Sequence, residues 1–168
     1  HTATLVHDDI NDEASHRRGI ETIHSRVGLP KAVIAGDWLF SQGFALGGRY
    51  DEVIVRILAQ YCAELAVAEF EQLDHVLDLT TSPEDYLNIV RGKTAGPFAA
   101  GCHAAGLVAG LSEQQASSLK RFGMELGIAF QLVDDLLDLR GDERMGKPRG
   151  ADVIEGKMTL PLIHALTL

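Results

Sequence analysis

The stretch Ile128-Ala-Phe-Gln-Leu-Val-Asp-Asp-Leu-Leu-Asp-Leu139 sets Asp134, Asp135 and Asp138 among residues that are nearly all apolar. Positions i and i+4 of a helix share a face, so Asp134 and Asp138 point the same way. Like charges at that spacing cost an isolated helix roughly 0.2–0.5 kcal/mol. The apolar setting raises the cost, because a partly buried carboxylate needs a counterion or must take up a proton. The same spacing occurs at Asp8-Asp9-Ile10-Asn11-Asp12, where Asp8 and Asp12 share a face.

Outward from these segments the chain reads as helices. Ser82-Pro83-Glu84-Asp85 supplies an N-cap, a proline at the first helical position and an acid three residues after the cap, and Ser112-Glu-Gln-Gln115 repeats that capping box. Pro30 and Pro161 begin two more helices. Breakers fall at Gly47-Gly48-Arg49-Tyr50-Asp51, at Gly141-Asp142 and around Gly146 to Gly150. Between them apolar residues recur at three and four, as in Val53, Ile57, Leu58, Tyr61 and Leu65. No run alternates with period two for long enough to make a strand. The expected fold is all-α, a bundle of six or seven helices with short loops. His1 opens within an apolar-periodic stretch and Leu168 closes within a helix just begun, so residues 1–168 read as one domain truncated at both ends, with further helices before and after.

Composition narrows the function. Net charge is −9, whereas binding a nucleic-acid backbone calls for surplus Lys and Arg. Cys62 and Cys102 are too few for a disulfide framework and read as small buried hydrophobes in a reducing cytoplasm. No segment reaches the ~18 apolar residues of a membrane span; the nearest, Phe98 to Leu111, contains His103.

A divalent cation is the simplest counterion for two acidic segments. Carboxylates and water suit Mg²⁺ or Mn²⁺, and Mg²⁺ takes one or two carboxylates and completes its shell with water and phosphate oxygens. The plainer reading of either segment alone is a solvated acidic face; two equal spacings, one inside an apolar helix, argue against it. Arg17-Arg18-Gly19 follows the first segment, and Lys93-Thr94, Lys147 and Lys157 follow later. Each Lys alone reads as a surface residue, but together these cations make a diphosphate clamp. Gly92-Lys93-Thr94 mimics the end of a phosphate-binding loop, yet Leu87 stands where that loop needs glycine. His7-Asp8 resembles a metal phosphohydrolase ligand pair, a reading that leaves the second acidic segment unused.

The series of motifs resembles the trans-isoprenyl (polyprenyl) diphosphate synthases. His1-Thr-Ala-Thr-Leu-Val-His-Asp-Asp-Ile-Asn-Asp-Glu13 with Arg17-Arg-Gly looks like that family's first aspartate-rich motif. Ala35-Gly-Asp37, Lys93-Thr-Ala95, Gly127 to Asp138, Gly146-Lys147, Asp152 and Glu155-Gly-Lys-Met-Thr-Leu-Pro161 look like later blocks, in family order across the chain. The resemblance implies an isoprenoid-synthase bundle around a central cavity, homodimeric, with three Mg²⁺ ions bridging an allylic diphosphate to the two motifs. It implies Asp8, Asp12 and Asp134 as metal ligands, with Asp9, Asp135 and Asp138 in supporting or water-mediated roles. Arg17, Lys93, Lys147 and Lys157 match contacts to the allylic diphosphate, and Arg18 a contact to isopentenyl diphosphate. Thr94 and Gln131 match polar groups beside the reacting carbons. The family's Gly-Gly-Lys-Arg loop and a further His fall before position 1, and Phe70 stands where the family commonly has Gly.

The implied reaction is head-to-tail trans condensation of an allylic diphosphate with isopentenyl diphosphate. Thr4 lies one turn before Asp8 on the same face, and Ala3 about 7.5 Å below Asp8 at ~1.5 Å per residue. In the family, bulky aromatics there block the growing chain; these small residues imply a product beyond twenty carbons. The alternatives are a class I terpene cyclase, which calls for an Asn/Asp-Ser/Thr-Glu motif in the second position, and a non-catalytic subunit, which tends to lose one aspartate motif.

Overall fold

The computed structural model describes residues 1–141 and 150–168. They form two compact units, His1–Val55 and, among the described residues, 56–141 with 150–168.

In the first unit α1 (Thr2–Asn11) packs on α3 (Leu29–Gly47). Ala3, Val6 and Ala32 are buried between small-residue surfaces. Gly36 gives the His7 ring its place in this packing: a Cβ there would lie 2.1 Å from the ring, which would have to shift. His7 in turn stacks on Phe40 and approaches the Val33 carbonyl at 3.2 Å.

Between α1 and α2 (Ile23–Val27) the chain forms a short hairpin, β1 (His16–Arg17) paired antiparallel with β2 (Ile20–Glu21). This corrects the expectation that the chain holds no strand. The ladder is two residues long, too short to leave an alternating pattern. It exists because Arg18 (φ 53°) and Gly19 (φ 76°) both adopt the left-handed region, as a two-residue primed turn requires. Thr22 closes the loop, its buried hydroxyl donating to the Ala14 carbonyl at 2.7 Å.

The helix α4 (Glu52–Asp74) follows the breaker after α3. In the second unit α5 (Pro83–Val90) starts at the predicted capping box: Ser82 Oγ accepts from the Asp85 amide, and Asp85 accepts from the Ser82 amide. A π-helical turn (Arg91–Ala95) joins α5 to α6 (Gly96–Val108). Then α7 (Glu113–Arg140) begins at the second predicted box, Ser112 with Gln115. Pro161 sits in the first turn of α9 (Leu160–Leu166), after the short α8 (Ala151–Ile154).

The π-helical turn and α6 pack closely on α7. A Cβ on Gly127 would meet the Ala95 Cα at 2.4 Å, and one on Gly123 the Phe98 carbonyl oxygen at 2.6 Å. Ala95 and Ala99, opposite them, are fully buried. One core gathers Ile57, Tyr61, Ala99 and Ala100; another gathers Tyr86, Val90, Met158 and Ile163. The described residues hold nine α-helices rather than six or seven. The surplus is α2 and α8, of five and four residues, too short to show periodicity.

Candidate functional site

The first acidic segment ends α1. Asp8 and Asp9 are helical, while Asp12 is the C-cap and its amide donates to the Asp8 carbonyl at 2.9 Å. Arg17, carried back by the hairpin, spans the adjacent carboxylates: Nε donates to Asp9 at 2.6 Å and a terminal nitrogen to Asp8 at 3.0 Å. Asp9 is only 7 % exposed, so its charge is matched inside the fold. These bonds and the two carboxylates hold the Arg17 guanidinium above its ordinary pKa against the opposing effect of burial, the largest single influence. Arg18 occupies the exposed turn. Ala3 is buried and Thr4 half-buried, its hydroxyl donating to the His1 carbonyl.

The second segment divides its three aspartates. Asp134 is exposed on α7. Asp135 is 2 % exposed and accepts from Tyr86 Oη and from Gln131 Nε2, the latter at 2.8 Å. Burial pushes the Asp135 carboxyl up, against the lowering effect of those two bonds. Asp138 accepts from the backbone amides of Ala151 (3.1 Å) and Asp152 (3.3 Å), so it anchors the start of α8. Burial, with Asp138 nearby, pushes the Asp152 carboxyl up to about 6, and Lys157 only partly offsets this.

Lys93 and Thr94 lie on the π-helical turn, a rare geometry often found at functional sites. Lys93 Nζ meets Glu69 at 3.1 Å and Gln72 at 2.7 Å, and its side chain is 21 % exposed, so it is not an ordinary surface lysine. Thr94 donates to Gln131 Oε1 at 2.8 Å. Lys157 is similarly withdrawn and pairs with Glu155 at 2.7 Å. Lys147 lies outside the described residues. Phe70 projects from α4 and is 73 % exposed, which gives no account of its replacing glycine.

Sequence reasoning missed Tyr86, Glu69 and Gln72. Glu69 and Gln72 stand i, i+3 on α4 and so present one face to Lys93, a spacing visible in Glu69-Phe-Glu-Gln72. Tyr86 has no such signal, because its partner is 49 residues away.

Among the described residues no three His, Cys, Asp or Glu side chains gather into a ready metal cage. Spacing instead sets the carboxylates two by two, Asp8 with Asp12 and Asp134 with Asp138, each pair one helical turn apart. One or two carboxylates is the number Mg²⁺ takes from a protein when phosphate and water complete its shell, so the donor set fits. Among the described residues no helix is long and apolar enough to cross a membrane.

The chain is 41 % identical over 168 residues to an octaprenyl diphosphate synthase of Haemophilus influenzae, and 38 % identical to that of Escherichia coli, covering 99 % of this chain and 51 % and 52 % of those proteins. It thus spans about half the length of the curated relatives it matches. A polyprenyl synthase from Caulobacter crescentus, solved in complex with calcium and isoprenyl diphosphate, superposes with a TM-score of 0.95 at 41 % identity, over 99 % of this chain and 52 % of that one. A decaprenyl diphosphate synthase from Rhodobacter capsulatus gives 0.92 at 41 % identity, with the same coverage. The Polyprenyl synthetase family model matches residues 1–168 in full, and the chain belongs to that family.

Proposed function

We propose that the protein is a trans-polyprenyl diphosphate synthase that condenses an allylic diphosphate with isopentenyl diphosphate, head to tail. The observation that carries the proposal is the Thr94–Gln131–Asp135 chain of hydrogen bonds, which links the π-helical turn to the second acidic segment on α7. Family membership supports the same chemistry, and the calcium and isoprenyl diphosphate of the Caulobacter relative fit a site of this donor type. Asp8, Asp12 and Asp134 would hold magnesium, three ions on the family pattern, with Asp9, Asp135 and Asp138 in supporting or water-mediated roles and manganese as a substitute. When bound, the metal neutralises diphosphate oxygens and eases departure of that group.

Arg17, Lys93, Lys147 and Lys157 bind the allylic diphosphate, and Arg18 the isopentenyl diphosphate. The allylic carbon–oxygen bond breaks and its electron pair leaves with the diphosphate. Thr94 and Gln131 turn oxygen dipoles toward the positive carbon. The double bond of isopentenyl diphosphate attacks that carbon, and a proton passes to the departing diphosphate. Apolar walls exclude the water that would quench the cation. Ala3 and Thr4 leave room for a product beyond twenty carbons. A single catalytic domain, a homodimer and a cytoplasmic location belong to the same proposal and rest on the family resemblance.

The test uses the full-length protein with Mg²⁺, farnesyl diphosphate and labelled isopentenyl diphosphate. Asp8→Ala and Asp134→Ala should each lower condensation by at least ~10²–10³-fold, as loss of a principal charge-stabilising group does. Near-normal condensation in both variants would overturn the assignment of the site.

A further inference from the structure

The hydrogen bonds around Gln131 have a direction. A carboxylate only accepts, so Asp135 draws the Gln131 amide nitrogen toward itself, at 2.8 Å. The amide oxygen is thereby turned to Thr94, and the Thr94 hydroxyl donates to it at 2.8 Å. With its proton spent on Gln131, Thr94 presents lone pairs on its other side. The far end of this chain is Tyr86, whose hydroxyl donates to the second Asp135 oxygen.

Tyr86 is 5 % exposed and its ring packs with Val90, Met158 and Ile163. A phenylalanine would serve that core equally well, so packing does not explain the hydroxyl. Without it, the outer Asp135 oxygen would sit buried and short of a donor, free to turn and take the Gln131 amide with it.

We propose that Tyr86 is a positioning residue for the condensation: its hydroxyl fixes Asp135, and through Asp135 the orientation of the Gln131 amide and the Thr94 hydroxyl. Two electronegative oxygens are thus held in one orientation before the positive carbon forms, rather than reorienting as it forms. The inference rests on the condensation proposed above and deepens it.

The experiment is a double-mutant cycle in the full-length protein, with Mg²⁺, farnesyl diphosphate and labelled isopentenyl diphosphate under single-turnover conditions. If the wild type fails to elongate, the proposed function falls and this inference with it. If it elongates, Tyr86→Phe should slow condensation ~10–100-fold, the usual effect of losing a supporting hydrogen bond behind a reacting group. KM for both substrates should stay within about twofold of wild type, since no substrate contact is removed. Thr94→Val should also be slow, and the double variant no slower than the slower single variant, because both act through one chain of bonds. Replacing Tyr86 by 4-aminophenylalanine, which keeps a donor at the same place, should restore the rate. Where Tyr86→Phe does not fold, 4-fluorophenylalanine fills the hydroxyl's place without donating. An unchanged rate without the donor, losses that multiply in the double variant, or no restoration by the amino analogue would each overturn the role while leaving the proposed reaction standing.

Discussion

Asp9 places a carboxylate where only 7 % of its surface meets solvent, and Arg17 is its charge partner at 2.6 Å. Removing the guanidinium leaves a buried acceptor with its charge uncompensated. Arg17→Gln should therefore lower stability by about 1–3 kcal/mol in urea unfolding. Arg18→Gln, one position on and exposed, should stay within about 0.5 kcal/mol. Asp152 gives the opposite kind of signal. Its carboxyl rises from 3.8 to about 6 on folding, so between those values the folded chain holds a proton the unfolded chain has released. Stability from this group is then greatest at low pH and declines as pH rises through that window. Asp78 and Asp85, held below the usual range by bonds from Thr80 and Ser82, act with the opposite sign, so the informative quantity is a difference. Without divalent ions, Asp152→Asn should gain stability relative to wild type as pH is raised from 4 to 6. A constant difference in unfolding midpoint across that range would contradict the assignment.

At the scale of elements, the approach of the π-helical turn to α7 depends on the absence of a side chain. Gly127→Ala drives a Cβ to 2.4 Å from backbone that cannot yield cheaply. It should cost about 1–3 kcal/mol, and it should slow condensation as well, because Ala95 adjoins Thr94 and Gly127 lies one turn before Gln131. Gly101→Ala, on α6 with nothing within 4 Å, is the control. It should be neutral or stabilising by up to ~1 kcal/mol through helix propensity. Both are read from thermal unfolding. The helix starts were legible because caps are local: Ser82 and Ser112 announce α5 and α7 within four residues, and both boxes form as read. The π-helical turn was not, since Arg91-Gly-Lys-Thr-Ala95 fits an ordinary helix equally well and its extra residue is set by packing. The hairpin was missed because two ladder residues carry no period, although Arg18-Gly19 is the kind of pair a tight turn selects. Of the proposed site, sequence spacing singled out the carboxylates but not their partners in the fold. Tyr86 on Asp135 and the α8 amides on Asp138 are tertiary contacts with no local sequence signature, whereas Gln72 on Lys93 left only the i, i+3 spacing with Glu69.

At the scale of the whole molecule, the two acidic segments, the buried polar chain beside the second, and the small residues before the first form one account of a chain-elongating enzyme. Product length is its most exposed consequence. Ala3 is buried and carries only a methyl group, so Ala3→Phe in the full-length protein should shorten the products seen on chromatography. An unchanged distribution would put the limit on chain length elsewhere. The most direct measurement supplies the full-length protein with Mg²⁺, farnesyl diphosphate and labelled isopentenyl diphosphate, then sizes the labelled products. The account predicts a series of extended prenyl diphosphates ending beyond twenty carbons; diphosphate release from farnesyl diphosphate with no label joined to carbon would contradict it.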